Sequence, residues 1–274
     1  MAMRIAVLGD IHGNILALDA AMGEIKRQRV DRLAITGDLV FNGPRPAEVV
    51  ERVRALEKDG ALVVAGNTDI AVADFDYTGA FPWLEQVPPA YRAAAEWAHD
   101  QLSDDELDWL RRLPNERRTW CEDVLVLICH GSPGSITAGL PADLDPTVTV
   151  ERVTRTDARV IACGHTHLAD VRELGRKLIV NPGSCGFAFD GDPTAGWALL
   201  TIPDQPARRD DAADSGEADD DDDDDSDVVD TVAPTAQLFR ARYDANAAAE
   251  EVAARGLSGD VYKAATIRTG RLIR

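Results

Sequence analysis

Five short segments place an acidic, amide or imidazole side chain directly beside glycine: Gly9-Asp10-Ile11-His12, Gly37-Asp38, Gly66-Asn67, His130-Gly131 and Gly164-His165-Thr166-His167. Four of the chain's five histidines fall in them. Together they offer seven metal donors: Asp10, His12, Asp38, Asn67, His130, His165 and His167. That set suits two cations rather than one. A carboxylate can bridge two cations, and Asp38 is the natural bridge. Oxygen and imidazole donors without thiolate suit Mn²⁺, Fe or Zn²⁺. Two such ions about 3.5–4 Å apart clamp a phosphoryl group and hold a hydroxide for in-line attack. Glycine beside six of the seven donors lets the backbone turn sharply and approach closely. The i, i+2 spacing of Asp10 with His12, and of His165 with His167, puts each pair on one side of an extended segment, so that each pair reaches one locale.

Each segment follows a short apolar run: Ile5–Leu8, Leu33–Thr36, Leu62–Ala65, Val124–Cys129 and Val160–Cys163. Such runs, rich in Val, Ile and Leu, are expected to be buried strands. Helical patterns separate them. Asn14 can cap a helix with Leu18, Met22 and Ile25 on one face. Pro46 opens another with Val49, Val53 and Leu56 on one side. Ser103-x-x-Glu106 is a capping box. The alternation predicts an α/β domain whose donors line one rim, at the C-terminal ends of the strands.

The chain has 274 residues and a net charge of −19. Residues 203–230 hold 14 acidic residues and two arginines, so −12 of that charge sits there and −7 on the rest. An acidic balance argues against nucleic acid as the main partner. It leaves a phosphoester substrate open, because metals can supply the positive charge. The segment at about 203–234 is expected to be a disordered insertion. It lies between strand-like runs at Gly196–Ile202 and Gln237–Tyr243, with a terminal helix from Asp244 to Leu257, so that strand and helix occupy about 237–270 of a single domain spanning 1–274. No apolar run approaches the roughly 18 residues of a membrane span, which leaves no expected membrane partner. Four scattered cysteines and no secretory signal point to reduced thiols and a cytoplasmic location. Oligomeric state is unconstrained.

The ordered motifs resemble the calcineurin-like metallophosphoesterase superfamily. Gly9-Asp10-Ile11-His12-Gly13-Asn14, Gly66-Asn67-Thr68-Asp69 and Asn181-Pro182-Gly183-Ser184 are similar to its small YfcE-like phosphodiesterase branch. The resemblance implies a four-layer αββα sandwich of two mixed sheets flanked by helices. It implies two divalent ions, Mn²⁺ first, with Fe, Zn²⁺, Ni²⁺ or Co²⁺ as other fits. Asp10, His12, Asp38 and His167 would hold one, and Asp38, Asn67, His130 and His165 the other. The activity implied is phosphoester hydrolysis by a metal-bridging hydroxide, diesters before monoesters. Asp38, Asn67 and His130 would carry the catalysis, with Asn14 and Thr68 as substrate contacts. Many members have histidine after the Gly-Asn, where it can protonate the leaving oxygen. Threonine at position 68 cannot do so near neutrality. A protein or dinucleoside-polyphosphate phosphatase is the alternative enzyme. A catalytically silent interaction scaffold on the same fold, which would carry no stoichiometric metal pair, is the alternative of another class.

Other residues read more plainly. Asn14 is also well placed as a helix cap, and Asp69 is expected to orient Thr68 or a ligand. His99 reads as a helix residue, and Asn42-Gly43-Pro44 as a turn. Cys129 and Cys163 are expected to pack the core, because strand neighbours point to opposite faces. Asn181-Pro182-Gly183-Ser184 reads as a supporting rim loop, and the five tryptophans as core.

Overall fold

The computed structural model describes residues 2–204 and 232–273. In chain order the elements are β1 (Met3–Leu8), α1 (Ile15–Ile25), β2 (Arg32–Ile35), α2 (Pro46–Lys58), β3 (Leu62–Val63), α3 (Asn67–Asp74), α4 (Tyr77–Ala80), α5 (Pro89–Asp100), α6 (Asp104–Arg112), β4 (Glu116–Cys121), β5 (Val124–Cys129), α7 (Pro146–Val153), β6 (Val160–Ala162), β7 (Ala169–Leu174), β8 (Lys177–Pro182), β9 (Ala195–Ile202), β10 (Thr235–Ala241), α8 (Ala245–Ala254) and α9 (Asp260–Thr269).

The strands form two five-stranded sheets, ordered β10-β9-β1-β2-β3 and β4-β5-β6-β8-β7. Both are mixed. β1, β2 and β3 run parallel and meet antiparallel β9. β5, β6 and β8 run parallel between antiparallel β4 and β7. The period of two along each strand explains the layering. Ile5 and Val7 of β1 pack with Val126 and Ile128 of β5 and Val160 and Ala162 of β6, between the sheets. Their neighbours Ala6 and Leu8 face the layer of α1, α2, α3, α5 and α6. Leu127, Ile161 and Ile179 face outward toward Val153 of α7. The result is the expected sandwich, with a thin outer layer on the second sheet. The central strands are buried on both faces, which is why they read as unbroken apolar runs.

Local signals hold at the helix starts. Asn14 Oδ1 accepts from Ala17 N at 3.2 Å and caps α1. Pro46 opens α2. Ser103 and Glu106 form the reciprocal capping box of α6. Cys129 and Cys163 belong to the apolar cluster on the outer face of the second sheet. All four thiols are buried and free.

Two expectations need correction. The tail after β10 is two helices, not one, because the chain turns through left-handed Gly256 and Gly259 before α9. Trp197 and Trp109 are core, but Trp83 and Trp120 are exposed. Trp120 lies on edge strand β4, where one face has no covering layer. The expected acidic insertion lies almost wholly outside the described residues.

The C-terminal helices dock through Ala248, Ala249, Val252, Ala264 and Ile267 onto Phe187. A buried charge cluster fixes them. Arg255 Nη2 donates to Asp260 Oδ1 at 2.6 Å, and Leu257 N donates to Asp260 Oδ2 at 3.0 Å. Lys263 Nζ lies 3.5 Å from Asp260 Oδ1 and donates to Ala90 O. Arg255 Nη1 donates to Gly43 O at 2.8 Å, tying the tail to the Asn42-Gly43-Pro44 turn. No helix among the described residues is long and apolar enough to cross a membrane.

Candidate metal centre

All seven donors gather beyond the C-terminal ends of β1, β2, β3, β5 and β6, although these strands come from different sheets. Backbone hydrogen bonds zip the loops together: Asp10 N to Gly37 O, His12 N to Asp38 O, Gly164 N to His130 O, and Gly186 N to Asp10 O. Five of the seven donors have left-handed backbone: Asp10 (φ 51°), His12 (53°), Asp38 (53°), His165 (70°) and His167 (57°). Positive φ in non-glycine residues is uncommon and costs free energy, so its concentration here marks a site held by the surrounding structure. The extended geometry expected for Asp10-x-His12 and His165-x-His167 is therefore wrong. These segments are tight turns. Asp10 and His12 do meet in one group, but His165 and His167 diverge into two.

In the first group one donor atom from each of Asp10, His12, Asp38 and His167 lies within 4.8 Å of the others. His12 Nδ1 sits 3.0 Å from Phe41 O, and His167 Nδ1 bonds Phe187 O. A carbonyl only accepts, so each Nδ1 carries the proton and each Nε2 presents a lone pair. Those two Nε2 atoms are 3.1 Å apart. Burial lowers the pKa of both imidazoles, which keeps them neutral. Two lone pairs face each other with no proton between them.

The second group repeats the pattern. His130 Nδ1 donates to Thr36 O at 2.7 Å, leaving Nε2 bare. Asn67 Nδ2 donates to Ala80 O, which turns Oδ1 inward. His130 Nε2 lies 2.9 Å from Asn67 Oδ1, and His165 Nδ1 lies 3.2 Å from the first atom and 3.0 Å from the second. A proton on His165 Nδ1 could satisfy only one of them. Burial and then His130 lower the His165 imidazole to about 4.

Asp38 stands between the groups, with Oδ2 3.5 Å from His12 Nε2 and Oδ1 3.4 Å from His130 Nε2. Burial alone would raise its carboxyl. His130, His12, His165 and the Thr68 N–H outweigh that and hold it at about 2. Asp10 goes the other way, raised well above the carboxylate range by burial and by Asp38. Imidazole lone pairs and carboxyl and amide oxygens converging on one locale are what a pair of divalent cations would satisfy, so the residues present fit the metals that the motifs imply. Burial pushes the neighbouring Cys163 thiol up to about 12, consistent with a core role and not a thiolate ligand.

The supporting shell is mostly backbone, which sequence reading missed. The carbonyls of Thr36, Phe41 and Phe187 orient three imidazoles, and carbonyl identity leaves no trace in residue type. Asp69 Oδ1 accepts from Leu39 N at 2.7 Å and Oδ2 from Gly66 N at 2.9 Å, clamping the Asp38 loop to the start of α3. Ser184 Oγ donates to Asp10 O, and Asn181 Nδ2 to Gly164 O, so residues 181–184 brace the rim, though Asn181 and Pro182 end strand β8 and do not belong to a loop. Two glycines are needed for space. A Cβ on Gly66 would meet Asp38 Oδ1 at 2.1 Å, and one on Gly164 would meet Asp10 Oδ2 at 2.6 Å.

The two expected substrate contacts part company. Thr68 is buried beside Asp38, its N–H donating to Asp38 Oδ1 at 2.9 Å and its Oγ1 without a hydrogen-bond partner among the described residues. Asn14 is fully engaged elsewhere. Its Oδ1 caps α1, and its Nδ2 donates to Gly186 O and Tyr243 OH. That leaves no donor for a phosphate, so the capping reading replaces the substrate reading. His99 Nδ1 bonds Val72 O on the far side of α3 and is an ordinary helix residue.

The calcineurin-like phosphoesterase superfamily domain matches residues 3–205. The chain belongs to that superfamily. It is a metal-dependent phosphoric ester hydrolase by family. The crystal structure of a metallophosphoesterase from Sphaerobacter thermophilus is similar over 98% of this chain and 100% of that one, with 26% identity and a TM-score of 0.69. An uncharacterized protein of Methanocaldococcus jannaschii is 26% identical over 218 residues, 73% of this chain and 83% of that protein. The symmetrical bis(5′-nucleosyl)-tetraphosphatase of Klebsiella pneumoniae is 33% identical over 110 residues, 39% of this chain and 36% of that protein. The chain thus spans about a third of that relative's length.

Proposed function

We propose that this superfamily member is a dinuclear phosphodiesterase, with phosphomonoesters as secondary substrates. The observation that carries the reading is the meeting at Asp38 of two groups of inward-turned imidazole nitrogens and side-chain oxygens. Asp10, His12, Asp38 and His167 would hold one ion, and Asp38, Asn67, His130 and His165 the other, with Mn²⁺ the best match to the oxygen and imidazole donors. Bound cations would supply Lewis acidity and positive charge for attack of water at phosphorus.

The chain's own groups do the positioning. Asp38, ionised at neutral pH, fixes the spacing of the two halves. Phe41 O, Phe187 O and Thr36 O lock their imidazoles in the tautomer that turns a lone pair inward. Thr68 Oγ1 is a buried donor with no acceptor among the described residues, available to a phosphoryl oxygen. An alcohol does not titrate near neutrality, so Thr68 orients but does not protonate the departing oxygen. Substrates whose leaving groups depart as anions are therefore favoured.

The test is hydrolysis of bis-p-nitrophenyl phosphate beside p-nitrophenyl phosphate by chelator-stripped protein with Mn²⁺ restored. Diester cleavage that requires the metal supports the reading. Cleavage of the monoester alone overturns the diester preference, and no turnover by protein carrying two metals overturns the reading. The similarity to symmetrical bis(5′-nucleosyl)-tetraphosphatases supports a second reading, cleavage of dinucleoside polyphosphates. Diadenosine tetraphosphate split into two ADP faster than the diester is cut would favour it.

A further inference from the structure

Trp83 is 55% exposed, yet it is not a loose surface side chain. It follows Pro82 in the connection between α4 and α5, and its indole meets two rings edge-on. One is His165, 5.9 Å between centroids, and the other is Phe81, also 5.9 Å. Phe81 is buried and packs on Tyr91 at 5.2 Å and Phe41 at 6.1 Å. Phe41 in turn lies 6.4 Å from His12, whose Nδ1 its carbonyl receives. A run of rings therefore leads from one donor group round to the other, and Trp83 is its most exposed member and lies beside the second. Neither contact of the indole is a stack, so neither covers a whole ring face. Trp120, the other exposed tryptophan, pairs with Leu125 at the far end of β5 from the site and has no such context.

Charge does not take this role at the nearby 42–45 turn. Arg45 is held by Glu251, and Arg255, which reaches Gly43 O, is held by Asp260. What the structure holds open beside the donors is an aromatic face. We propose that Trp83 is the platform on which a substrate stacks a planar aromatic ester group, in nucleoside phosphates the base, and that it sets the site's preference for such esters. The inference rests on the phosphoesterase reading and deepens it. Stacking on an aromatic side chain is tolerant of base identity and needs no hydrogen-bond readout.

The experiment titrates AMP and ribose 5-phosphate, which share the phosphate and differ in the base, into Mn²⁺-loaded protein by calorimetry. The wild type should bind AMP about tenfold tighter than ribose 5-phosphate. W83A should bring that ratio close to one, and W83F should keep most of it. AMP should also quench tryptophan fluorescence in the wild type more than in W83F. A wild-type ratio near one, or a ratio that W83A leaves intact, overturns the proposal. Hydrolysis of bis-p-nitrophenyl phosphate by the same wild-type preparation separates the two failures. Turnover with a ratio near one removes only the platform. No turnover and no AMP binding removes the phosphoesterase reading with it.

Discussion

Arg255, Asp260 and Lys263 bury charge in a cluster that cancels itself: one carboxylate faces two cations and a backbone N–H, and the cations reach carbonyls of Gly43 and Ala90. The cluster around Asp38 is just as buried and does the opposite. His12 Nε2 faces His167 Nε2, and His130 Nε2 faces Asn67 Oδ1. The ring protons of His12, His130 and His167 are drawn outward to backbone carbonyls, away from these contacts. A cluster satisfied within the chain holds structure together. One with unsatisfied lone pairs, kept in strained backbone, is arranged for something the chain does not itself provide. Composition does not separate the two, since both use a few charged or polar groups. Hydrogen-bond direction does.

The sharpest way to break the comparison is Asp38→Asn, which keeps shape and tolerates positive φ. Metal-dependent hydrolysis of bis-p-nitrophenyl phosphate should fall on the order of 10³-fold. Elemental analysis should find fewer than two metals on a protein whose circular dichroism is unchanged. Asp260→Asn should do the reverse. Removing one partner of a buried pair should cost about 3 kcal/mol or more in urea unfolding, with metal content unaltered. Metal loss in that variant would erase the distinction.

Metal itself supplies the next test. Mn²⁺ at a hundred times its dissociation constant should stabilise the wild type by about 2.7 kcal/mol. That corresponds to a rise in Tm of about 5–10 °C for a chain of this size, and Asp38→Asn should lose it. The smallest effect is pH-dependent. Burial lowers Lys263 to about 8 despite Asp260. The unfolded ammonium keeps its proton to about 10.4. Between those values the unfolded state binds more protons, so this residue's contribution to stability rises with pH. Lys263→Met, compared with the wild type by urea unfolding at pH 8 and pH 10, should show its relative stability shrink across that window.

The site was legible in the sequence because its signals are local. Six of the seven donors adjoin a glycine just past an apolar run, and a run buried on both faces announces itself. Helix caps at Asn14 and Ser103 were legible for the same reason. Edge strands β4 and β7 were not. Their sequences, Glu-Arg-Arg-Thr-Trp-Cys and Ala-Asp-Val-Arg-Glu-Leu, are half-exposed and polar, and only pairing with β5 and β8 makes them strands. The divergence of His165 from His167 depends on two positive φ values that residue type does not specify. The engagement of Asn14 depends on Tyr243, 229 residues away. Trp83 looked like core because nothing local tells an indole which of its faces will be covered.

The register of β9 has a consequence for how this chain tolerates added sequence. Met3 pairs with Ile202 and Val7 with Ala198, so β9 leaves the sheet at the end where β1 enters it. β10 begins there too, with Thr235 opposite Thr201. The donors lie at the other end, past Leu8. The last residues of β9 and the first of β10 therefore stand at the end of the sheet farthest from the donors. Sequence added at Ile202 or Thr235 enters with the length of the sheet between its attachment point and the chemistry.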